Sequence, residues 1–264
     1  FDYAGTARAI QQELSHVERV VEVLAPEGFI PVDEALPDVA ETGQPEDGLC
    51  IFSTSGTTGN PKLAVHSQQG IAQHARNVAA RMGIHSQSVM LCGLSLYGVM
   101  GFVQAVSALA GEAPCVLMQV FDGERAAQAV RTHRVTHLFG SDSMFAPIWE
   151  ALGSEPTQLT SCGLAEFAGL SAAVIARGER EWGVRGFGIY GASECFALAF
   201  AQFPNEDVAQ RALSGGAPIS PAIEYRVAGL ETGDAVADGE RGELQLRGYN
   251  VLKGYLHNPQ ATAN

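Results

Sequence analysis

From Leu49 to about Ile189 the chain alternates short apolar runs with stretches of helical periodicity, and this alternation constrains the fold most. "LCIF" (49–52) and "KLAVH" (62–66) read as strands. Ser67 then caps a helix with Ile71, Ala75, Val78, Ala79 and Met82 on one face. "VMLCGLSL" (89–96), an apolar helix over 99–109, "PCVLM" (114–118), a helix from Asp122 through Arg131, and "VTHLF" (135–139) continue the series. Another helix begins near Ser141, one capped by Ser171 runs to Trp182, and "VRGFGIYG" (184–191) closes it. Such repetition predicts an α/β fold, a helix-covered and largely parallel sheet.

After Pro204 the pattern changes. "IEYRVA" (223–228) and "ELQLR" (243–247) alternate with period two across a Gly/Asp-rich link, which predicts a smaller antiparallel β unit. The expected organisation is a remnant and connection over 1–48, an α/β subdomain over 49–200 and a β-rich subdomain over 201–264. The connection, 26–48, is rich in proline and acid, and a helix is expected around Thr6–Leu14.

Composition narrows the function classes. A net charge of −13 without a basic stripe argues against a nucleic-acid partner. No apolar run reaches membrane-spanning length, and the start lacks the basic-then-apolar pattern of a signal peptide. The five cysteines are scattered without a Cys-x-x-Cys pair, which points to reduced thiols and a cytoplasmic setting. Of 16 basic residues only two, Lys62 and Lys253, are lysines.

Lys62 ends the segment "IFSTSGTTGNPK" (51–62). Glycines let backbone N–H groups approach an anion, hydroxyls add donors, and a lysine supplies a movable charge. Ser53, Thr54, Ser55, Gly56, Thr57, Thr58, Gly59 and Lys62 provide all three in one turn-forming stretch. It is not a Walker A loop, because Pro61 stands where that motif requires glycine. A Ser/Gly linker is the plainer alternative, but linkers are seldom bounded by buried strands on both sides, so an anion cradle is favoured.

"STSGTTGNPK" resembles the signature phosphate loop of the adenylate-forming enzymes, which include acyl- and aryl-CoA ligases, peptide-synthetase adenylation domains and firefly-type luciferases. "IYGASE" (189–194), "GGAP" (215–218) and "GELQLRGYNVLKGYLHNPQAT" (242–262) resemble later landmarks of that family, in the same order. The resemblance covers about 49–264, the central part of the family's N-terminal domain. It implies ATP-dependent activation of a carboxylic acid to an acyl-adenylate, then transfer to coenzyme A as a thioester. It also implies that Thr54, Ser55, Gly56, Thr57, Thr58, Gly59 and Lys62 hold the β/γ phosphates. Tyr190 would stack on adenine, Gly191 would let the nucleotide lie close, Ser193 would donate to the α-phosphate, and Glu194 would bind Mg²⁺. Lys62 and Glu194 are the catalytic candidates.

Taken alone, Tyr190 is as well read as a core aromatic, Glu194 as a solvated or capping acid, and Cys195 as a small buried hydrophobe. His66, His133 and His137 are expected to be structural. "ETGD" (231–234) looks like the family's ribose-binding element but precedes its proper place, so Asp234 is assigned to a polar turn. The true element and the C-terminal lid domain are expected beyond Asn264, and about a hundred residues before the chain; such a fragment is expected to be inactive alone. Two rivals stay open: an adenylation enzyme loading a carrier-protein phosphopantetheine, and a non-catalytic nucleotide-binding relative. The acid itself is not legible, because Leu63, "SLYG" (95–98) and "AEFAG" (165–169) depart from the family pattern.

Overall fold

Ser67 does what its position predicts: its hydroxyl accepts from the Gly70 N–H at 3.1 Å and starts a helix. The five apolar residues expected on that helix's inner face are all buried. This and all that follows come from a computed structural model that describes residues 12, 43–54, 60–165 and 172–263. The expected helix near Thr6–Leu14, the Ser171 cap and most of "AEFAG" therefore lie outside the described residues. The chain divides into two compact units, 1–42 and 43–264, and the second is described here.

In chain order the second unit contains β1 (Gly48–Ser53), β2 (Leu63–Ser67), α1 (Gln68–Met82), β3 (Met90–Cys92), α2 (Val99–Ala110) and β4 (Cys115–Leu117). Next come α3 (Gly123–His133), β5 (His137–Ser141), α4 (Asp142–Leu152), β6 (Ser161–Ala165), α5 (Ala172–Trp182) and β7 (Arg185–Tyr190). The remainder is β8 (Phe200–Ala201), α6 (Val208–Arg211), β9 (Ala217–Pro218), β10 (Ile223–Ala228), β11 (Glu243–Gly248), β12 (Gly254–Tyr255) and α7 (Pro259–Ala263).

The main sheet has the order β4-β3-β5-β6-β7-β8-β9. Its first five strands are parallel, and β8 and β9 extend it antiparallel. Strand periodicity sends alternate residues to opposite faces. Met90, Cys92 and Phe139 pack with Val78 and Met82 of α1 and Val103 of α2. Leu91, Leu138 and Cys162 pack on the other face with Val130 of α3, Ile148 of α4 and Ile175 of α5. Both faces are covered, which is why these strands are continuous apolar runs. The predicted caps recur: Asp122 accepts from the Arg125 N–H at 2.8 Å to open α3. The five cysteines are free thiols.

One expectation is corrected. The strand–helix alternation places β1 and β2 in the parallel series, but they pair with each other antiparallel, Phe52 opposite Ala64. With β12 they form a separate three-stranded sheet, order β1-β2-β12. The physical reason is the short connection. Lys62 follows Thr54 by eight positions, enough for a hairpin and too few for a parallel crossover.

The period-two segments do form an antiparallel pair, β10 with β11, in unbroken register from Ile223 opposite Gly248 to Ala228 opposite Glu243. Asp234 lies in the turn region between them, where its carbonyl accepts from the Gly229 N–H at 2.9 Å. Among the described residues, no helix is long and apolar enough to cross a membrane.

Candidate active site

The hairpin that carries the glycine-rich loop is closed at its neck by two hydrogen bonds. The Thr54 N–H donates to the Lys62 carbonyl at 2.8 Å, and the Lys62 N–H donates to the Thr54 hydroxyl at 3.0 Å. Thr54 and Lys62 are thus held face to face as the two ends of the loop. Ser55, Gly56, Thr57, Thr58 and Gly59, which span it, lie outside the described residues.

The second predicted segment leaves the C-terminal end of β7. Tyr190 is 39% exposed, and its ring meets Phe200 edge-on with centroids 6.0 Å apart. Burial, helped by the charges of Cys195 and Glu194, pushes its phenol above the usual range. Ser193, Glu194 and Cys195 form a single 3₁₀ turn. Burial pushes the Cys195 thiol up to about 11, so it behaves as the small hydrophobe that its residue type suggests.

After this turn the chain doubles back through Phe196, Ala197 and Leu198 with φ of 56°, 53° and 32°. Non-glycine residues in this region cost on the order of 1–3 kcal/mol each, so the surroundings must hold them there. The Phe196 ring lies 5.9 Å from Phe52, 5.1 Å from His66, 5.6 Å from His74 and 6.2 Å from Phe102. The Ala197 N–H donates to the Ala192 carbonyl at 2.9 Å. This return brings backbone against Gly191. A Cβ placed there would meet the Ala197 carbonyl carbon at 2.4 Å and the Leu198 nitrogen at 2.5 Å. Glycine at 191 is required by the chain itself, whatever a nucleotide also asks of it.

Two buried histidines brace this turn. His66 Nε2–H donates to the Ser193 carbonyl at 2.7 Å, and His74 Nε2–H donates to the Ala197 carbonyl at 3.2 Å. In β5, His137 Nε2–H donates to the Met82 carbonyl at 3.1 Å. His66 and His137 are structural, as expected, and burial lowers all three imidazoles. His74 is lowered farthest, to about 4. Its folded value lies below the unfolded value of about 6.5, so the unfolded chain takes up the proton first. Stability from this group is complete above pH 6.5 and is lost as pH falls towards 4. Between pH 7 and pH 5 the expected loss is about 2 kcal/mol, measurable by urea unfolding. A His74→Gln protein should show a correspondingly shallower pH slope.

The two segments meet through a residue that the sequence did not single out. The Tyr255 hydroxyl donates to Glu194 Oε1 at 2.9 Å, and Lys62 Nζ sits 4.5 Å from the centroid of the Tyr255 ring. Tyr255 reaches this place because β12 pairs with β2, Tyr255 opposite Ala64. The flanking segment is stitched to the Glu194 turn: the Leu252 N–H donates to the Glu194 carbonyl at 2.8 Å, and Asn250 Nδ2 to the Cys195 carbonyl at 2.9 Å. A phenol, a carboxylate and an ammonium therefore share one spot beside the neck of the loop. Among the described residues, no three His, Cys, Asp or Glu side chains cluster as a metal cage. One carboxylate suits a hard cation that brings most of its oxygen ligands with it.

The sequence matches the model of the AMP-binding enzyme family over residues 4–256. The mitochondrial medium-chain acyl-CoA ligase of Rattus norvegicus is 30% identical over 228 residues, 82% of this chain and 36% of that protein. Feruloyl-CoA synthase of an Amycolatopsis species is 30% identical over 262 residues, 94% of this chain and 51% of that protein. The chain thus spans between 36% and 51% of the length of these relatives. Among solved structures, O-succinylbenzoate coenzyme A synthetase from Bacillus subtilis, in complex with ATP and magnesium ion, has a TM-score of 0.75 at 23% identity. That likeness covers 83% of this chain and 45% of that one, and it bears on the fold alone. The match over nearly the whole chain settles the family: this chain belongs to the AMP-binding enzymes.

Proposed function

We propose that the intact protein activates a carboxylic acid with ATP to an acyl-adenylate, releases pyrophosphate, and transfers the acyl group to coenzyme A as a thioester. The observation that carries this reading is the meeting of Lys62 and Glu194 at Tyr255, beside the neck of the glycine-rich loop. Attack of a carboxylate oxygen on the α-phosphorus builds negative charge on the phosphate oxygens, and preorganised positive charge and donors lower that barrier.

In this proposal Thr54, Ser55, Gly56, Thr57, Thr58 and Gly59 cradle the β- and γ-phosphates, with Lys62 at the end of the loop delivering the charge. Tyr190, part exposed at the end of β7, offers a face to adenine. Gly191 keeps the wall beside it low, and Ser193 donates to the α-phosphate. Glu194 would hold Mg²⁺ that arrives with ATP, and the bound cation would neutralise phosphate oxygens. The division at about residue 200, between a nucleotide- and acid-binding part and a β-rich part, belongs to the same proposal. So do the cytoplasmic setting and the absence of a nucleic-acid partner, which the net charge of −13 supports.

The test is ATP–pyrophosphate exchange by the intact protein over a panel of aliphatic and aromatic acids, followed by mass analysis of the product formed with coenzyme A. Exchange with one class of acid and a coenzyme A thioester are expected. Exchange without a thioester, but with acylation of a phosphopantetheinylated carrier protein, would favour the carrier-loading alternative. Tight ATP binding without exchange on any acid would overturn the reaction.

A further inference from the structure

Tyr255 touches both catalytic candidates, yet its residue type and position suggested no role. It is the only described side chain seen to contact both the Glu194 carboxylate and the Lys62 ammonium. We infer that Tyr255 is a positioning residue for the metal–phosphate site: its hydroxyl orients the Glu194 carboxylate through Oε1, and its ring seats the Lys62 ammonium. The inference rests on the functional reading above and adds to it the residue that sets the two charges relative to each other.

The backbone around Tyr255 is built for precision on both sides. The Lys253 N–H donates to the Val65 carbonyl and the Leu256 N–H to the Leu63 carbonyl, each at 2.8 Å, so β12 is locked to the strand that begins immediately after Lys62. The Leu252 N–H binds the Glu194 carbonyl at 2.8 Å, which ties the same segment to the turn that carries the carboxylate. From the other side, the Tyr255 N–H donates to the Thr262 hydroxyl at 2.9 Å, fastening α7 behind it. Tyr255 thus stands on a strand fixed to both partners, and a site held by packed secondary structure is more exact than one on free loops.

The chemistry fits the task. An O–H donor to a carboxylate is a strong, charge-assisted hydrogen bond. It uses Oε1 and leaves Oε2 to meet a cation. A phenol carries its proton throughout the physiological range, so this hydroxyl is a donor to the carboxylate there. An ammonium over an aromatic face is held without a fixed hydrogen bond. Lys62 is therefore kept near the site but free to turn towards a phosphate.

Two substitutions in the intact protein separate the two contacts, read by calorimetric binding of ATP with Mg²⁺ and of ATP in EDTA. Tyr255→Phe keeps the ring and loses the hydroxyl; it should weaken Mg²⁺-ATP about tenfold and leave metal-free ATP unchanged. Tyr255→Leu loses both contacts and should weaken binding in both conditions. A Tyr255→Phe protein that binds Mg²⁺-ATP as wild type does, or loses both forms equally, overturns the inference. Because the readout is binding, the reaction is judged separately. If exchange fails with every acid while Tyr255→Phe still discriminates between the two forms of ATP, the positioning role stands and the assigned reaction falls.

Discussion

Glu194→Gln in the intact protein is expected to lower acid-dependent pyrophosphate exchange about a hundred- to a thousandfold, with the unfolding midpoint close to wild type. The loss corresponds to about 3–4 kcal/mol of transition-state stabilisation, the scale for removing one preorganised electrostatic contact from a phosphoryl or oxyanion site. Glutamine has nearly the volume of glutamate, and its side-chain carbonyl can accept the Tyr255 hydroxyl in place of Oε1. The 3₁₀ turn of Ser193–Cys195 is held by backbone groups, including the Leu252 N–H on the Glu194 carbonyl, and these are untouched. The substitution removes the charge and leaves the scaffold. Steady-state exchange at several Mg²⁺ concentrations, beside thermal unfolding, is the measurement. Normal exchange by this variant would remove Glu194 from the mechanism.

Gly191→Ala should act in the opposite way, on the fold before the chemistry. One added methyl would lie 2.4 Å from the Ala197 carbonyl carbon and 2.7 Å from its Cα, distances that no side-chain rotation can relieve. Relief requires moving either the end of β7 or the left-handed return at 196–198, which aromatic packing and the His74 bond hold in place. The expected destabilisation is about 3 kcal/mol, or on the order of 10 °C in midpoint for a chain of this size. Urea and thermal unfolding without nucleotide decide the point. If the variant is as stable as wild type and loses only nucleotide affinity, close approach of ligand is the sole reason for this glycine.

Much of the scaffold was legible in the residues because its causes are local. Asp122 and Ser67 cap the helices they were expected to cap, since a side-chain oxygen reaches an N–H three residues on. The inner face of α1 follows from helical period alone. The loop ending at Lys62 and the segment carrying Glu194 were both marked by their ordered likeness to a family. β1 and β2 are strands as expected, but their antiparallel pairing was not legible, because apolar content identifies a strand and does not say which neighbour it pairs with.

The amino-acid sequence by itself determined most of the longer helices and strands, though not β6 or the short elements after β7, and it marked the two short stretches proposed here for phosphate and metal binding. Tertiary structure alone decided that Tyr255 meets Glu194 across 61 residues, that His66 meets Ser193 across 127, and that Asn77 meets Tyr249 across 172. It also decided that three buried residues without glycine's freedom take a left-handed path beside Gly191. The physical reason is separation: capping and periodicity act within a turn or two of backbone. A hydrogen bond across a hundred residues exists only after sheets and helices have packed and closed the distance.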